Sequence, residues 1–75
     1  MGKRHATRAE VRAQKRAADN CGGAREFARR VSVSRQTIYD WRKTGVPAAW
    51  LPKVVKVSGV PAADLRPDIA RVIRG

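Results

Sequence analysis

Residues 24–43 read AREFARRVSVSRQTIYDWRK, 20 residues whose apolar side chains recur at the spacing of two short helices crossing steeply over a tight turn. With Ala24 as the first position, Ala28 at the fifth is small enough for the second helix to cross closely above it. Phe27, Val31, Val33, Ile38 and Trp41 take the fourth, eighth, tenth, fifteenth and eighteenth positions. These are the buried seats of a helix-turn-helix. The ninth, in the turn, is Ser32, where glycine is commonest because the backbone there needs a positive φ.

Ser34 is placed to cap a helix over residues 35–43, in which Ile38 and Trp41 form an inward pair three residues apart. The same period turns Arg35, Gln36, Tyr39, Asp40 and Lys43 outward. Upstream, Thr7-Arg8-Ala9-Glu10 has the form of a capping box and predicts a helix to Asn20. At about 100° per residue, Ala6, Ala9, Ala13 and Ala17 share one face of it, and Arg4, Arg8, Arg12 and Lys15 the opposite one. Gly22-Gly23 ends this helix, with Cys21 a small residue at its end. Downstream, Gly45-Val46-Pro47 and Gly59-Val60-Pro61 are stop-and-start signals. They predict a turn over residues 48–51, then a kink or a restart at Pro52 with helix running to about Val57, and one helical turn over residues 61–65. Trp50, Leu51, Val54 and Val55 are expected in the core. Beyond Pro67, Ile69, Val72 and Ile73 fit a helical face, while Ile69, Arg71 and Ile73 fit a strand edge equally well. They suit either a tail folded back onto the core or one paired across a two-fold axis. The fold class is all-α, a compact bundle of about four to five short helices. Its organisation is a basic arm, or simply a frayed terminus, over residues 1–6, a helix-turn-helix domain over 7–67 and a tail over 68–75.

Composition narrows the function. In 75 residues, 17 Lys and Arg oppose 6 Asp and Glu, a net charge of +11 that calls for an anionic partner. A chain of this length buries roughly 60% of its unfolded surface, which leaves little room for an internal catalytic cavity, so an enzyme is not expected. One cysteine and one histidine make neither a disulfide nor a zinc set, and no metal, cofactor or small-molecule substrate is expected. No apolar run approaches the ~20 residues of a membrane span, and the basic start lacks a signal peptide's apolar stretch. A cytoplasmic protein bound to nucleic acid is the resulting expectation, with no membrane partner.

On that reading the outward row of residues 35–43 faces a major groove. Arg35 suits the N7 and O6 of guanine, Gln36 the N7 and N6 of adenine, and Asp40 the amino group of cytosine. Tyr39 suits a thymine methyl or a phosphate. Asp40 has an alternative role, orienting Arg35 or Lys43, since a carboxylate near phosphates is repelled. Arg8, Arg12, Lys15, Arg25, Ser34, Arg42 and Lys43 are the candidate phosphate contacts, together with free amides after Gly22-Gly23.

The run GGAREFARRVSVSRQTIYDWRKTGVPA over residues 22–48, followed by SGVPAADL over 58–65 and the ending LRPDI over 65–69, resembles small Cro-like and YdaS-like regulators of phages and prophages. The resemblance covers residues 21–69, and Leu65-Arg66-Pro67-Asp68 is its more specific half. It implies a lambda-repressor-like helix-turn-helix fold and a repressor acting on double-stranded operator DNA, often as a homodimer on a palindrome. YdaS-like proteins are also commonly labelled antitoxins, which would make the chain a toxin-binding interaction protein. A nonspecific nucleic-acid-binding protein that uses charge alone is the remaining alternative.

Overall fold

The computed structural model describes residues 4–73, and side chains as far as Ala70. Among these residues the chain is all helical, with α1 (Arg8–Asn20), α2 (Ala24–Val31), α3 (Arg35–Thr44), α4 (Leu51–Ser58), α5 (Ala62–Leu65) and α6 (Pro67–Ile73). The sixth helix settles the ambiguous tail, which is helical from Pro67. Ile69 packs half-buried against the core; Val72 and Ile73 fall beyond the described side chains.

Thr7 caps α1, and the capping box closes in both directions, the Thr7 hydroxyl accepting from the Glu10 amide at 3.1 Å and Glu10 accepting from the Thr7 amide at 3.3 Å. The buried face of α1 differs from the expected alanine stripe. Ala9 is exposed, and Glu10 and Gln14 join Ala13, Ala17 and Ala18 inside. The small alanines let α2 and α5 approach closely, while Glu10 is paired by Arg4 and Gln14 is bonded through its Nε2 to the Trp41 carbonyl, its buried Oε1 having no partner. Arg4 departs from the expected outward basic stripe for the same reason: it turns back onto Glu10.

The amides of Cys21, Gly22 and Gly23 bond to carbonyls of the last turn of α1, the shortest being Gly23 to Ala18 at 2.7 Å. These two glycine amides therefore end one helix. Between α3 and α4, Trp50 and Leu51 donate to the Pro47 carbonyl in a single turn, and α4 starts at Leu51. Pro52 falls in the first turn of α4, where a missing N–H breaks no helical bond, so it starts the helix without kinking it.

The core is one cluster. Phe27, Val31, Ile38, Trp41, Val46, Leu51, Val54, Val60 and Leu65 meet the alanines of α1 and Cys21 there, with Trp50 and Val55 half-buried at its margin. The Trp41 and Trp50 rings lie 6.0 Å apart, tilted by 44°. Each fully buried Val, Leu, Ile or Phe contributes about 1.5–3 kcal/mol of transfer free energy, so a domain this small depends on nearly all of them.

Candidate nucleic-acid interface

α2 and α3 are joined by Ser32, Val33 and Ser34. Ser32 adopts the left-handed conformation, φ 72° and ψ 43°, at the position where the sequence lacks glycine. Its amide and that of Val33 both donate to the Ala28 carbonyl at 2.9 Å, which closes the turn. Ser34 caps α3 by accepting from the Thr37 amide at 3.2 Å, and its hydroxyl also meets that of Thr37. Phe27, Ala28, Val31, Ile38 and Trp41 are buried beneath the crossing, and Val33 packs half-buried against them.

With Ile38 and Trp41 held inward, α3 turns Arg35, Gln36, Tyr39, Asp40 and Lys43 to the exterior. Tyr39 is the one large apolar side chain exposed among the described residues, at 41%. The half-buried Arg42 lays its guanidinium over the Tyr39 ring, 5.1 Å from the centroid, which stiffens both side chains. Asp40 takes neither of its expected partners. It accepts from Gln36 Nε2 at 3.0 Å, one helical turn away, so the amide and carboxylate form a joined polar pair on the outer face.

The body of the domain grips the other end of α3 by its backbone. Gln14 Nε2 donates to the Trp41 carbonyl at 2.7 Å, the Ala6 amide to the Lys43 carbonyl at 2.9 Å, and Arg4 Nη1 to the Thr44 carbonyl at 2.8 Å. Just beyond, Arg66 Nη1 donates to the Val46 carbonyl at 2.6 Å. Carbonyls at a helix C-terminus lack intrahelical donors, and three of these four belong to the last turn of α3. Gly45, at φ +96°, leaves room for this arrangement, because a Cβ there would strike the Arg4 guanidinium. Behind the contacts, Arg4 makes a two-point ion pair with the buried Glu10, at 2.9 Å on each side, and Arg66 another with Asp68, at 3.0 and 2.9 Å. The hydrogen bonds from Arg66 hold the Asp68 carboxyl down from 3.8 to about 2. None of Arg4, Gln14 and Arg66 stands out in the sequence as a support for α3. Arg66 carried the one available sign, its place in the Leu65-Arg66-Pro67-Asp68 run.

The remaining cations divide into two groups. Arg25 and Arg35 line an open cleft with Arg29, whereas Arg12 lines a second concavity, of about 290 Å³, with Arg16, Ala63, Asp64 and Pro67 between α1 and the C-terminal helices. Arg8 and Lys15 are exposed on α1. Glu26 binds Arg29 at two points, and that hydrogen bonding pulls the Glu26 carboxyl below its ordinary range. Cys21 donates its thiol to the Val57 carbonyl at 3.5 Å, and burial raises its pKa, so it sits as a protonated packing residue. Among the described residues no three His, Cys, Asp or Glu side chains converge as a metal would require, and no helix is long and apolar enough to cross a membrane.

These features define a class: a small all-helical domain that presents a two-sided, cation-flanked helix from a pinned scaffold. Residues 14–72 match the family described as bacterial toxin YdaS, more than three quarters of the chain, and the protein belongs to that family. The match runs from within α1 to within α6 and so takes in α2, α3 and the Arg66–Asp68 pair. No curated protein and no solved structure matches the chain.

Proposed function

We propose that this YdaS-family chain is a sequence-specific regulator of transcription that binds double-stranded DNA by placing α3 in the major groove, as a Cro-like phage or prophage repressor does. One observation carries the reading. The outer face of α3 presents Gln36, Tyr39, Asp40 and Lys43 side by side, on a helix whose inner face is locked in the core and whose terminal carbonyls are held by the scaffold. Base readout demands this combination of exposed polar side chains and a fixed helix. The Gln36–Asp40 pair suits an adenine beside a cytosine. Lys43, Arg42 and the basic residues of α1 suit phosphates, which position the protein without reading sequence. The protein is read as a binding protein and not an enzyme, working in the cytoplasm on operator DNA, with a homodimer meeting half-sites ~34 Å apart.

Selection of bound duplexes from a random pool at near-physiological salt tests this. The expected result is a palindromic consensus, and Gln36→Ala should cost about 1–3 kcal/mol at one position of it while relaxing preference there. A pool that emerges unenriched defeats the reading and leaves charge-driven, nonspecific binding, which carries no sequence information. The family description names a toxin, where the resemblance suggested an antitoxin. It supports a second reading in which the chain acts by engaging a cellular protein. That reading predicts an unenriched pool together with a stoichiometric protein partner.

A further inference from the structure

Arg35 opens α3, and the sequence groups it with the base readers. Its neighbours in the structure are different. With Arg25, Ala28, Arg29 and Val33 it lines an open cleft of about 520 Å³ between α2 and the start of α3, and no other residue of the outer row of α3 takes part. Among the described residues Arg25 and Arg35 have no carboxylate at ion-pair distance, and Arg29 is held by Glu26 through Nη2–Oε1 at 2.7 Å and Nε–Oε2 at 3.1 Å. Two of the three guanidinium groups around the concavity thus lack a counter-charge, and they repel one another until an anion enters. The other two lining residues, Ala28 and Val33, are short and apolar, so they open space without offering a competing polar group. A guanidinium fork matches two oxygens of a phosphate. The cleft is open to solvent, so the phosphate of an extended chain can enter it without being enclosed.

We infer that this cleft seats one sugar-phosphate unit of the DNA backbone, so that Arg35 grips phosphate and base reading starts at Gln36. Glu26 occupies Arg29 in the free protein and yields it to the incoming phosphate. The inference rests on the duplex-binding reading above and divides its labour: the cleft anchors, the ridge of Gln36, Tyr39 and Asp40 discriminates.

The test is fluorescence anisotropy over a range of salt, using the full chain with the selected duplex and a random duplex. Arg25→Ala and Arg35→Ala are surface changes whose folding is checked by circular dichroism. Each should weaken both duplexes by the same factor, within about twofold, and lower the salt slope by ~0.9, the value of one phosphate. An Arg35→Ala loss more than about tenfold larger on the selected duplex, or an unchanged slope, overturns the seat. Glu26→Gln should tighten both duplexes more than Asp64→Asn does. Asp64→Asn makes the same charge change by freeing Arg16 on the α1–α5 face. Equal effects would mean that only net charge counts and would refute the site. Inorganic phosphate should displace the duplex no better than chloride of equal ionic strength; displacement at low millimolar phosphate would identify a free-anion site and overturn the assignment to backbone. If the wild-type chain fails to distinguish the two duplexes, the regulator reading fails, while the slopes on the random duplex still decide the cleft.

Discussion

The α2–α3 half of the domain and the half built from α1 and the C-terminal helices share one apolar core, but only the second adds buried polar contacts to it. Between α2 and α3 the contacts are apolar, with Phe27, Val31, Ile38 and Trp41 interlocked below an exterior on which Asp40 is the only acid of α3. In the other half, Glu10, Gln14 and Arg66 are buried and bonded, and the carbonyls at the end of α3 are gripped one by one. Apolar burial is strong but non-directional. Hydrogen bonds and paired charges add little net stability yet fix an orientation, and they become costly when one partner is removed. The seat of α3 is apolar, and the acids Glu10 and Asp68 stand behind the arginines at its C-terminal end and not in its outer row.

The largest expected effect breaks the apolar half. Trp41→Ala removes a side chain only 4% exposed that packs against Trp50, and should cost about 3–5 kcal/mol. In a domain of this size that loss should abolish the cooperative denaturant transition. A variant that still unfolds cooperatively at a similar midpoint would show that the crossing does not depend on this ring. Arg4→Ala is the matching cut in the polar half. It leaves Glu10, 1% exposed, without its counter-charge and the Thr44 carbonyl without its donor, and should cost about 3 kcal/mol. Glu10→Gln, which keeps a hydrogen-bonding side chain in the same place, should cost less. If the order of the two is reversed, Arg4 does not compensate the buried acid.

The two halves also differ in how legible they are. The apolar seats follow from periodicity, because a buried isoleucine or tryptophan leaves a repeat in the sequence, and so do the caps at Thr7 and Ser34, because the geometry of a helix start is local. The polar half leaves no such trace. The bond from Arg4 to the Thr44 carbonyl spans 40 residues and that from Arg66 to Val46 spans 20, and an arginine that will be buried looks the same in sequence as one left in solvent. The alanine stripe misled for a related reason. Alanine is neutral toward burial, so it did not reveal that Glu10 and Gln14 face inward. In the candidate interface, the outward direction of Gln36, Tyr39 and Asp40 was legible from Ile38 and Trp41. The gathering of Arg25, Arg29 and Arg35 was not, since it depends on how α2 and α3 cross.

A smaller effect sharpens the contrast by pH. Because Arg66 holds the folded carboxyl of Asp68 at about 2, below its unfolded value of 3.8, the ion pair contributes stability that is fully present above pH 3.8 and is lost as pH falls toward 2. Asp68 is about half exposed, so solvent screening keeps the contribution modest. Asp68→Asn should therefore lower the thermal midpoint slightly at pH 6 and by clearly less at pH 2. Identical midpoint-against-pH curves for the two chains would show that the pair adds nothing to the fold.

The smallest effect concerns the turn between the halves of the crossing. Ser32 holds a left-handed backbone conformation that costs a residue with a Cβ roughly 1 kcal/mol or more, and glycine removes that cost. Glycine also gains freedom in the unfolded chain, which offsets part of the benefit. Ser32→Gly should thus stabilise by only about 0.5 kcal/mol, raising the thermal midpoint by ~2–4 °C. Ser32→Val should lower it by more, since a β-branched residue is least at ease at positive φ. Neither change touches the outer face of α3, so in chains that remain folded duplex affinity should hold while stability moves in opposite directions. A shift in affinity would mean that the turn helps to set the angle of α3.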